Sequence, residues 1–294
     1  MKPHTHSVAI AFRHRLVDYA QLTKFKLGTL VVFSALCGYF VAVDLWQMQW
    51  MEVLFLTIGG YLVTGASNAL NQCIEKDFDR LMQRTSSRPL PDGRMDVLEA
   101  ATVAVLIGAI GIAILWLGLN PLSGILGALA LVLYVAVYTP LKRIGPVAAF
   151  AGAFPGAIPP MLGYVAATGE FGLVPGMLFA VQFFWQFPHF WAIAWKSDED
   201  YKKAGFKLLP TASGKSRFSA FIIALYALFL VPVSIMPVVL LQSHWVVLLG
   251  VSAAGLWFLY YALKLFRTLD DRDALKLMFA SFLYLPVVQL LYLI

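Results

Sequence analysis

Charge is scarce in this chain: Asp, Glu, Lys and Arg make up 13% of its 294 residues, against 60% hydrophobic. That is about half the usual share, too little to clothe a large soluble core, so the bilayer rather than water is the expected solvent. Cysteine is scarce too. Cys37 and Cys73 fall in or at the end of apolar runs without CxxC spacing, which excludes a disulfide framework and leaves them as small buried residues. The opening MKPHTHSVAIAFRHRLVDYAQLTKFK lacks the apolar run and small-residue cleavage site of a leader. Residues 1–26 are therefore expected to be a cytoplasmic segment, with LVDYAQLTKF a helix at the interface. His4 and His6 have no preorganised third ligand, so a metal is not expected there. Alternating ten-residue segments, the mark of a membrane barrel, are also missing.

What is present is a series of long, nearly uncharged runs, with mean hydropathy +0.77. The fold class this implies is all-α and polytopic, with nine transmembrane helices over roughly 27–44, 51–73, 97–118, 121–138, 146–167, 172–195, 218–241, 245–265 and 274–293. All 22 Lys and Arg fall before the first span or in and immediately around alternate connections. The positive-inside tendency then puts the N-terminus in the cytoplasm and the C-terminus outside. The net charge of +6 reports topology and anionic lipid contact, and no nucleic-acid partner is expected.

The inner connections carry the chemistry. In NQCIEKDFDRLMQRTSSRPLP, residues 71–91, a helix continuing the second span would stack Asn71, Glu75 and Asp79 along one stripe, drifting about 40° per step. Asn68 lies a turn earlier at hydrocarbon depth, where polar groups face a bundle interior or a wet cavity. Oxygen ligands with room left for water and phosphate suit Mg²⁺. Arg84 and Arg88, again four apart, offer planar forks for phosphate oxygens, and Pro89 and Pro91 end any helix. The alternative is a solvated basic loop, which accounts for the arginines but not for the periodic acids. Tyr138, Lys142 and Arg143 in YTPLKR add cations at the same depth or serve as interfacial anchors. In KSDEDYKKAG, Asp200 with Lys196 or Lys203 would make a second metal or phosphate half-site, and spacing alone allows an ordinary solvated run. His189, among Phe184, Trp185, Phe187, Phe190 and Trp191, is an ionisable group inside a span, with an imidazole suited to haem iron. The bland reading of His189 is packing.

NxxxExxxD, RTxxRPL, YTPLKR, PHFWAIA and DYKKAG, in that order from about residue 20 onward, resemble the UbiA superfamily of membrane prenyltransferases, and more narrowly its haem-farnesylating branch. The resemblance implies one domain over 27–294, its helices arranged around a central cavity open to the cytoplasmic side of a bacterial inner membrane. It implies farnesyl diphosphate and haem B as substrates, with Mg²⁺ held on the diphosphate by Asn71, Glu75 and Asp79. The product would be handed to a haem A synthase or a terminal oxidase under assembly. Members that prenylate aromatic acids carry a second DxxxD motif, whereas here the residue four before Asp200 is Lys196. That puts a second metal in doubt and suggests Lys196 as a direct diphosphate contact.

Two other functions bear on the same residues. A UbiA-type enzyme acting on a quinone or chlorophyll precursor shares the donor chemistry. A transporter with an anion-binding mouth would need a polar path, yet the outer side offers little beyond Asp44, Glu52 and Glu170.

Overall fold

The computed structural model describes residues 4–44 and 46–294, with side chains from residue 13 onward. The His4 and His6 side chains lie outside that set. Among the described residues there is no strand. The order is α1 (His4–Leu22), α2 (Phe25–Ala42), α3 (Trp50–Leu81), α4 (Val97–Gly118), α5 (Pro121–Val132), a π-helical segment (Leu133–Tyr138), α6 (Thr139–Leu141), α7 (Val147–Thr168), α8 (Leu173–Lys196), α9 (Asp198–Lys203), α10 (Arg217–Leu240), α11 (Trp245–Thr268) and α12 (Asp271–Leu291).

A helix stands at each of the nine expected spans. Eight segments among the described residues are long and apolar enough to cross a bilayer, with Pro121–Leu141 counted as one through its π segment. The exception is α8, long enough at 24 residues but carrying Gln182, Gln186 and His189 on its buried side. The chain is thus a multi-pass membrane protein, and α8 owes its place to partners inside the bundle rather than to hydropathy. Side-chain caps mark where helices begin. Asp96 accepts from Leu98 N–H, Asn120 from Ser123 N–H ahead of Pro121, Ser216 from Ser219 N–H and Asp270 from Arg272 N–H.

The packing places two apolar cores side by side. One joins α7, α8, α10, α11 and α12 around Trp195, Phe258 and Tyr284. The other joins α2, α3, α4, α5 and α7 around Tyr39, Leu56 and Leu115. Where α2 crosses α7 the backbones touch: a Cβ on Gly38 would overlap the Pro160 carbonyl, and one on Gly163 the Ala35 carbonyl.

Polar side chains close the ring. Pro160 has no N–H for the Gly156 carbonyl one turn back, and Gln182 Nε2 donates to that carbonyl instead, at 2.7 Å. Gln182 Oε1 then accepts from Gln289 Nε2 at 2.9 Å, and Gln289 Oε1 from Ser34 Oγ at 3.1 Å. This chain of bonds ties α7, α8, α12 and α2 together within the hydrocarbon layer.

The element that positions the site is α3. Its 32 residues span about 48 Å at 1.5 Å each, well beyond the roughly 30 Å of bilayer core. The surplus is the polar end, Asn71 to Leu81, where the expected span at 51–73 runs on for two further turns.

Candidate active site

Asn71, Glu75 and Asp79 share the inward face of the last turns of α3 and are 1%, 4% and 1% exposed. Each is already engaged. Asn71 Nδ2 donates to Thr139 Oγ1 at 3.1 Å, leaving Oδ1 without a hydrogen bond from the described residues. Lys142 Nζ lies 3.0 Å from Glu75 Oε1 and donates to Oε2 at 3.0 Å. Arg88 Nη1 donates to Asp79 Oδ2 at 2.7 Å, and Oδ1 stays open. These are buried, charge-assisted pairs, in which loss of one partner strands the other charge in a poor solvent.

The loop after α3 is built to hold Arg84 and Arg88 in place. Thr85 Oγ1 donates to the Asp79 carbonyl at 2.9 Å, and Arg80 Nε to the Pro91 carbonyl at 3.0 Å. Arg94 ties the loop to α1, with Nε 3.0 Å from Asp18 Oδ1 and Nη2 donating to Gln21 Oε1 at 3.2 Å and to the Ser87 carbonyl at 3.1 Å. From the other side Asp200 accepts the backbone N–H groups of Gln83 at 2.9 Å and Arg84 at 3.2 Å. Burial alone would raise the Asp200 pKa. The two N–H groups and Lys203 outweigh it and hold the carboxyl below its ordinary value.

The α5 to α6 stretch supplies the facing wall. Between Leu133 and Tyr138 the backbone widens to a π turn, in which Thr139 N–H bonds back to the Tyr134 carbonyl. Such a turn shifts every later side chain around the helix axis. Thr139 Oγ1 also donates to the Tyr134 carbonyl at 2.8 Å. Tyr138 lies under Lys142, its ring centroid 4.6 Å from Nζ.

Other candidates fall elsewhere. Arg143 is turned to the flank of α3, donating to the Ile74 carbonyl at 3.3 Å with its guanidinium 4.3 Å above the Phe78 ring, so it is not brought to the face of the acids. The reason is helical: Ile74 and Phe78 lie about 100° round from Glu75 and Asp79. Lys196 is exposed at the end of α8 with no ion pair among the described residues. Lys203 is exposed and 3.4 Å from Asp200 Oδ1. Arg84 donates to Tyr201 Oη at 3.3 Å.

His189 is buried against α12, stacked on Trp185 at 4.5 Å and edge-on to Phe282 at 4.9 Å. Its Nδ1 is 2.6 Å from Ser281 Oγ, whose one hydrogen goes to the Met278 carbonyl at 2.5 Å. If that hydrogen stays on the carbonyl, the imidazole donates from Nδ1 and Nε2 is left as an acceptor. His189 lines neither cavity described below.

A cavity of about 130 Å³ begins beside the acidic stripe. Its polar end is formed by Ser67, Asn68 and Tyr134, and it runs between α2, α3, α4, α5 and α7 to a floor of Leu56, Leu115 and Leu162. Asn68, one turn before Asn71, connects the charged mouth to the apolar tube. A second cavity of about 40 Å³ is lined by Tyr138, Ala149, Phe190 and Tyr201.

Sequence reasoning misses several residues of this site. Thr139 and Tyr134 depend on the π turn, which leaves no trace in composition. Gln72, fully buried beside Asn71, and Arg94, the tie between loop and α1, find partners on a helix some 50 to 80 residues away.

Among the described residues no three His, Cys, Asp or Glu side chains converge. A divalent ion here would need oxygens from a bound substrate, the arrangement Mg²⁺ commonly takes with phosphates. Asn71 Oδ1 and Asp79 Oδ1, both without a donor among the described residues, fit such a shared site.

The chain is similar to known proteins over nearly its whole length. Residues 31–285 match the UbiA prenyltransferase family. The protoheme IX farnesyltransferase of Cytophaga hutchinsonii is 47% identical over 274 residues, covering 92% of this chain and 95% of that protein. That of Flavobacterium psychrophilum is 47% identical over 283 residues, covering 94% and 93%. Among solved structures, a digeranylgeranylglyceryl phosphate synthase has the same fold, with a TM-score of 0.79 at 19% identity over 95% of this chain and 98% of that one. A UbiA homolog from Archaeoglobus fulgidus bound to DMAPP and Mg²⁺ has a TM-score of 0.69 at 17% identity over 94% and 99%. This chain belongs to the UbiA prenyltransferase family.

Proposed function

We propose that this enzyme transfers the farnesyl group of farnesyl diphosphate to the 2-vinyl group of haem B, with addition of water, giving haem O and diphosphate. The observation that carries the donor half is the placing of two buried acid–cation pairs, Glu75 with Lys142 and Asp79 with Arg88, at the mouth of an apolar tube. Support for the acceptor half is the high identity to proteins named protoheme IX farnesyltransferase along nearly the whole chain.

In this reading the diphosphate lies at the α3 end and the isoprenoid runs past Asn68 into the tube. Arg88, Lys142 and Arg84 bind its oxygens. Asn71, Glu75 and Asp79 would hold Mg²⁺ against them, and the ion supplies charge neutralisation to the leaving group. As the allylic C–O bond breaks, its electron pair leaves with the diphosphate, and the cations stabilise charge that grows only then. The vinyl π pair forms the new C–C bond. Water adds to the resulting carbocation and gives up a proton, which completes the hydroxyethylfarnesyl side chain. The apolar walls delay capture of the allylic cation by water.

The remaining residues take supporting parts. Tyr138 positions Lys142 from beneath, Asp200 fixes the loop that presents Arg84, and Lys203 backs Asp200. Lys196, at the end of α8, is the cation free to swing toward the diphosphate. His189, as the Nδ1–H tautomer, offers Nε2 to haem iron when the aromatic layer between α8 and α12 parts. The charged face is read as cytoplasmic and the membrane as the bacterial inner membrane. A haem A synthase or an assembling terminal oxidase would take the product.

The deciding experiment incubates the purified protein with haem B, farnesyl diphosphate and Mg²⁺ and follows the porphyrin by mass spectrometry. Haem O is the expected product. Unchanged haem B, together with prenylation of an aromatic quinone precursor in a parallel reaction, would overturn the acceptor assignment.

A further inference from the structure

Asn71 and Thr139 are both 1% exposed, and their side chains meet 3.1 Å apart between α3 and α6. The two ends of an asparagine amide are alike in size and opposite in hydrogen bonding, so the neighbours decide which end faces where. Among the described residues the side chain bonded to the Asn71 amide is that of Thr139. Its hydroxyl has a single hydrogen, which goes to the Tyr134 carbonyl at 2.8 Å. Lone pairs are left for Asn71, and they accept from Nδ2. The opposite end of the amide is then the oxygen, Oδ1.

The π turn decides where the Thr139 hydrogen goes. In an α-helix a threonine hydroxyl bonds back to the carbonyl four residues earlier, which here is Val135. Between Leu133 and Tyr138 the register is one residue longer, and both the N–H and the hydroxyl of Thr139 go to Tyr134. Tyr134 also reaches the preceding turn of α3. Its hydroxyl donates to Asn68 Oδ1 at 3.5 Å, while Asn68 Nδ2 donates to the Thr64 carbonyl at 2.9 Å. Asn68 therefore has both ends of its amide engaged, and Asn71 its nitrogen end alone. A reversed Asn71 amide would present N–H groups where a cation needs an oxygen.

We propose that Thr139 is a positioning residue for the metal: with its hydrogen committed to Tyr134, it fixes the Asn71 amide so that Oδ1, not Nδ2, meets a divalent ion. The proposal rests on the reading of Asn71 as a Mg²⁺ ligand on a prenyl diphosphate. Its test needs neither haem nor turnover. Mn²⁺ is titrated into the purified full chain carrying one equivalent of the unreactive farnesyl thiodiphosphate, the free ion is read by electron paramagnetic resonance, and the analogue alone serves as blank. Thr139→Val is expected to weaken Mn²⁺ binding about tenfold or more, the scale of losing the partner of a metal ligand, and Thr139→Ser to restore it to within about twofold. Asn71→Asp has an oxygen at both ends and needs no orienting, so in that background Thr139→Val should cost no more than about twofold. Binding of the analogue without metal should be unchanged in Thr139→Val, because Arg88 and Lys142 are untouched. If wild type takes up Mn²⁺ and Thr139→Val takes it up within twofold, Thr139 does not position the ligand, while the metal reading stands. Equal losses in the Asn71 and Asn71→Asp backgrounds, or no rescue by serine, would mean that Thr139 acts through packing of the π turn and would overturn the proposal as well. If the wild-type complex binds no more Mn²⁺ than the blank, the metal reading falls and this proposal with it.

Discussion

Arg88 reaches nine residues back along the chain to Asp79 and closes a 2.7 Å ion pair in which the carboxylate side chain is 1% exposed. Under the proposed function, the cation that binds the leaving anion is held on a carboxylate until that anion arrives. Glu75 stores Lys142 in the same way one turn earlier. In the proposed mechanism each acid has a double task, to keep a cation in the site and to offer oxygens to a metal that enters with the substrate. Neutralising either acid should therefore cost more than one contact. Asp79→Asn or Glu75→Gln is expected to lower kcat by at least about 10², the scale of losing a transition-state charge contact, while the protein still inserts and stays folded. Turnover near the wild-type rate in either variant would remove the metal and diphosphate assignment.

Asp200 separates two accounts of the third loop. As the carboxylate of a second metal it would be essential to the chemistry. As the acceptor of the Gln83 and Arg84 N–H groups it only shapes the loop that presents Arg84. The structure supports the second, so Asp200→Asn should raise KM for farnesyl diphosphate several-fold and lower kcat by less than about tenfold. The pH dependence has a definite sign. A carboxyl held below its ordinary value contributes ordering that is fully present above the unfolded value of about 4, and loses it only as pH falls through the lower folded value. Between pH 5 and 8 the wild type should accordingly show no titration of farnesyl diphosphate affinity from this group. A kcat loss of about 10³ in Asp200→Asn would favour the metal role instead.

The helices were legible because hydropathy alone marks a membrane span, and the acidic stripe because a four-residue repeat reads directly as one helix face. Asn71, Glu75 and Asp79 could be placed on a common face before any coordinates. The one span that composition undervalues, α8, is the one whose polar residues are satisfied by distant partners: Gln182 by a carbonyl that Pro160 frees and by Gln289 of α12, and Gln186 by the Ala153 carbonyl. What could not be read were angular offsets and long-range ties. Arg143 sits next to Lys142 in sequence, yet a step of about 100° sends one to Phe78 and the other to Glu75. The π turn is equally unmarked, since LYVAVY has no residue that demands it. Gln72 carries no signal in the sequence for the same reason, since its partners are the distant Gln21 and Leu22 carbonyls.

His189 should show its role spectroscopically before it does so kinetically. Ser281 Oγ lies 2.6 Å from Nδ1, and by accepting there it would fix the tautomer with Nε2 bare, the form in which a histidine binds iron while its other nitrogen is anchored. His189→Ala is expected to abolish the Soret shift seen on adding haem B to the apoprotein and to raise KM for haem, with farnesyl diphosphate binding intact. Ser281→Ala keeps the imidazole but releases the tautomer and should weaken haem binding by about 10- to 100-fold, the usual scale for the partner of a ligating histidine. An unchanged Soret shift in His189→Ala would return this residue to packing between Trp185 and Phe282.

The length of the apolar tube should decide which donor is accepted. Its far end is closed by Leu56, Leu115 and Leu162, and Leu56 is fully buried. Truncating that side chain leaves a void at the floor, and a buried Leu→Ala change costs about 2–5 kcal/mol of stability according to how far the site collapses. A longer isoprenoid would fill the void. Leu56→Ala should unfold at a lower temperature than wild type in detergent and regain part of the loss when geranylgeranyl diphosphate and Mg²⁺ are added, because a ligand that fills the cavity binds only the folded state. Its kcat/KM for the twenty-carbon donor relative to farnesyl diphosphate should rise about tenfold, roughly the one to two methylene contacts at stake at the floor. The acidic stripe is untouched by this change, so kcat with farnesyl diphosphate should fall by no more than a few-fold. If the donor preference stays at its wild-type ratio while stability falls, the isoprenoid does not reach Leu56, and the tube assigned to it lies elsewhere in the bundle.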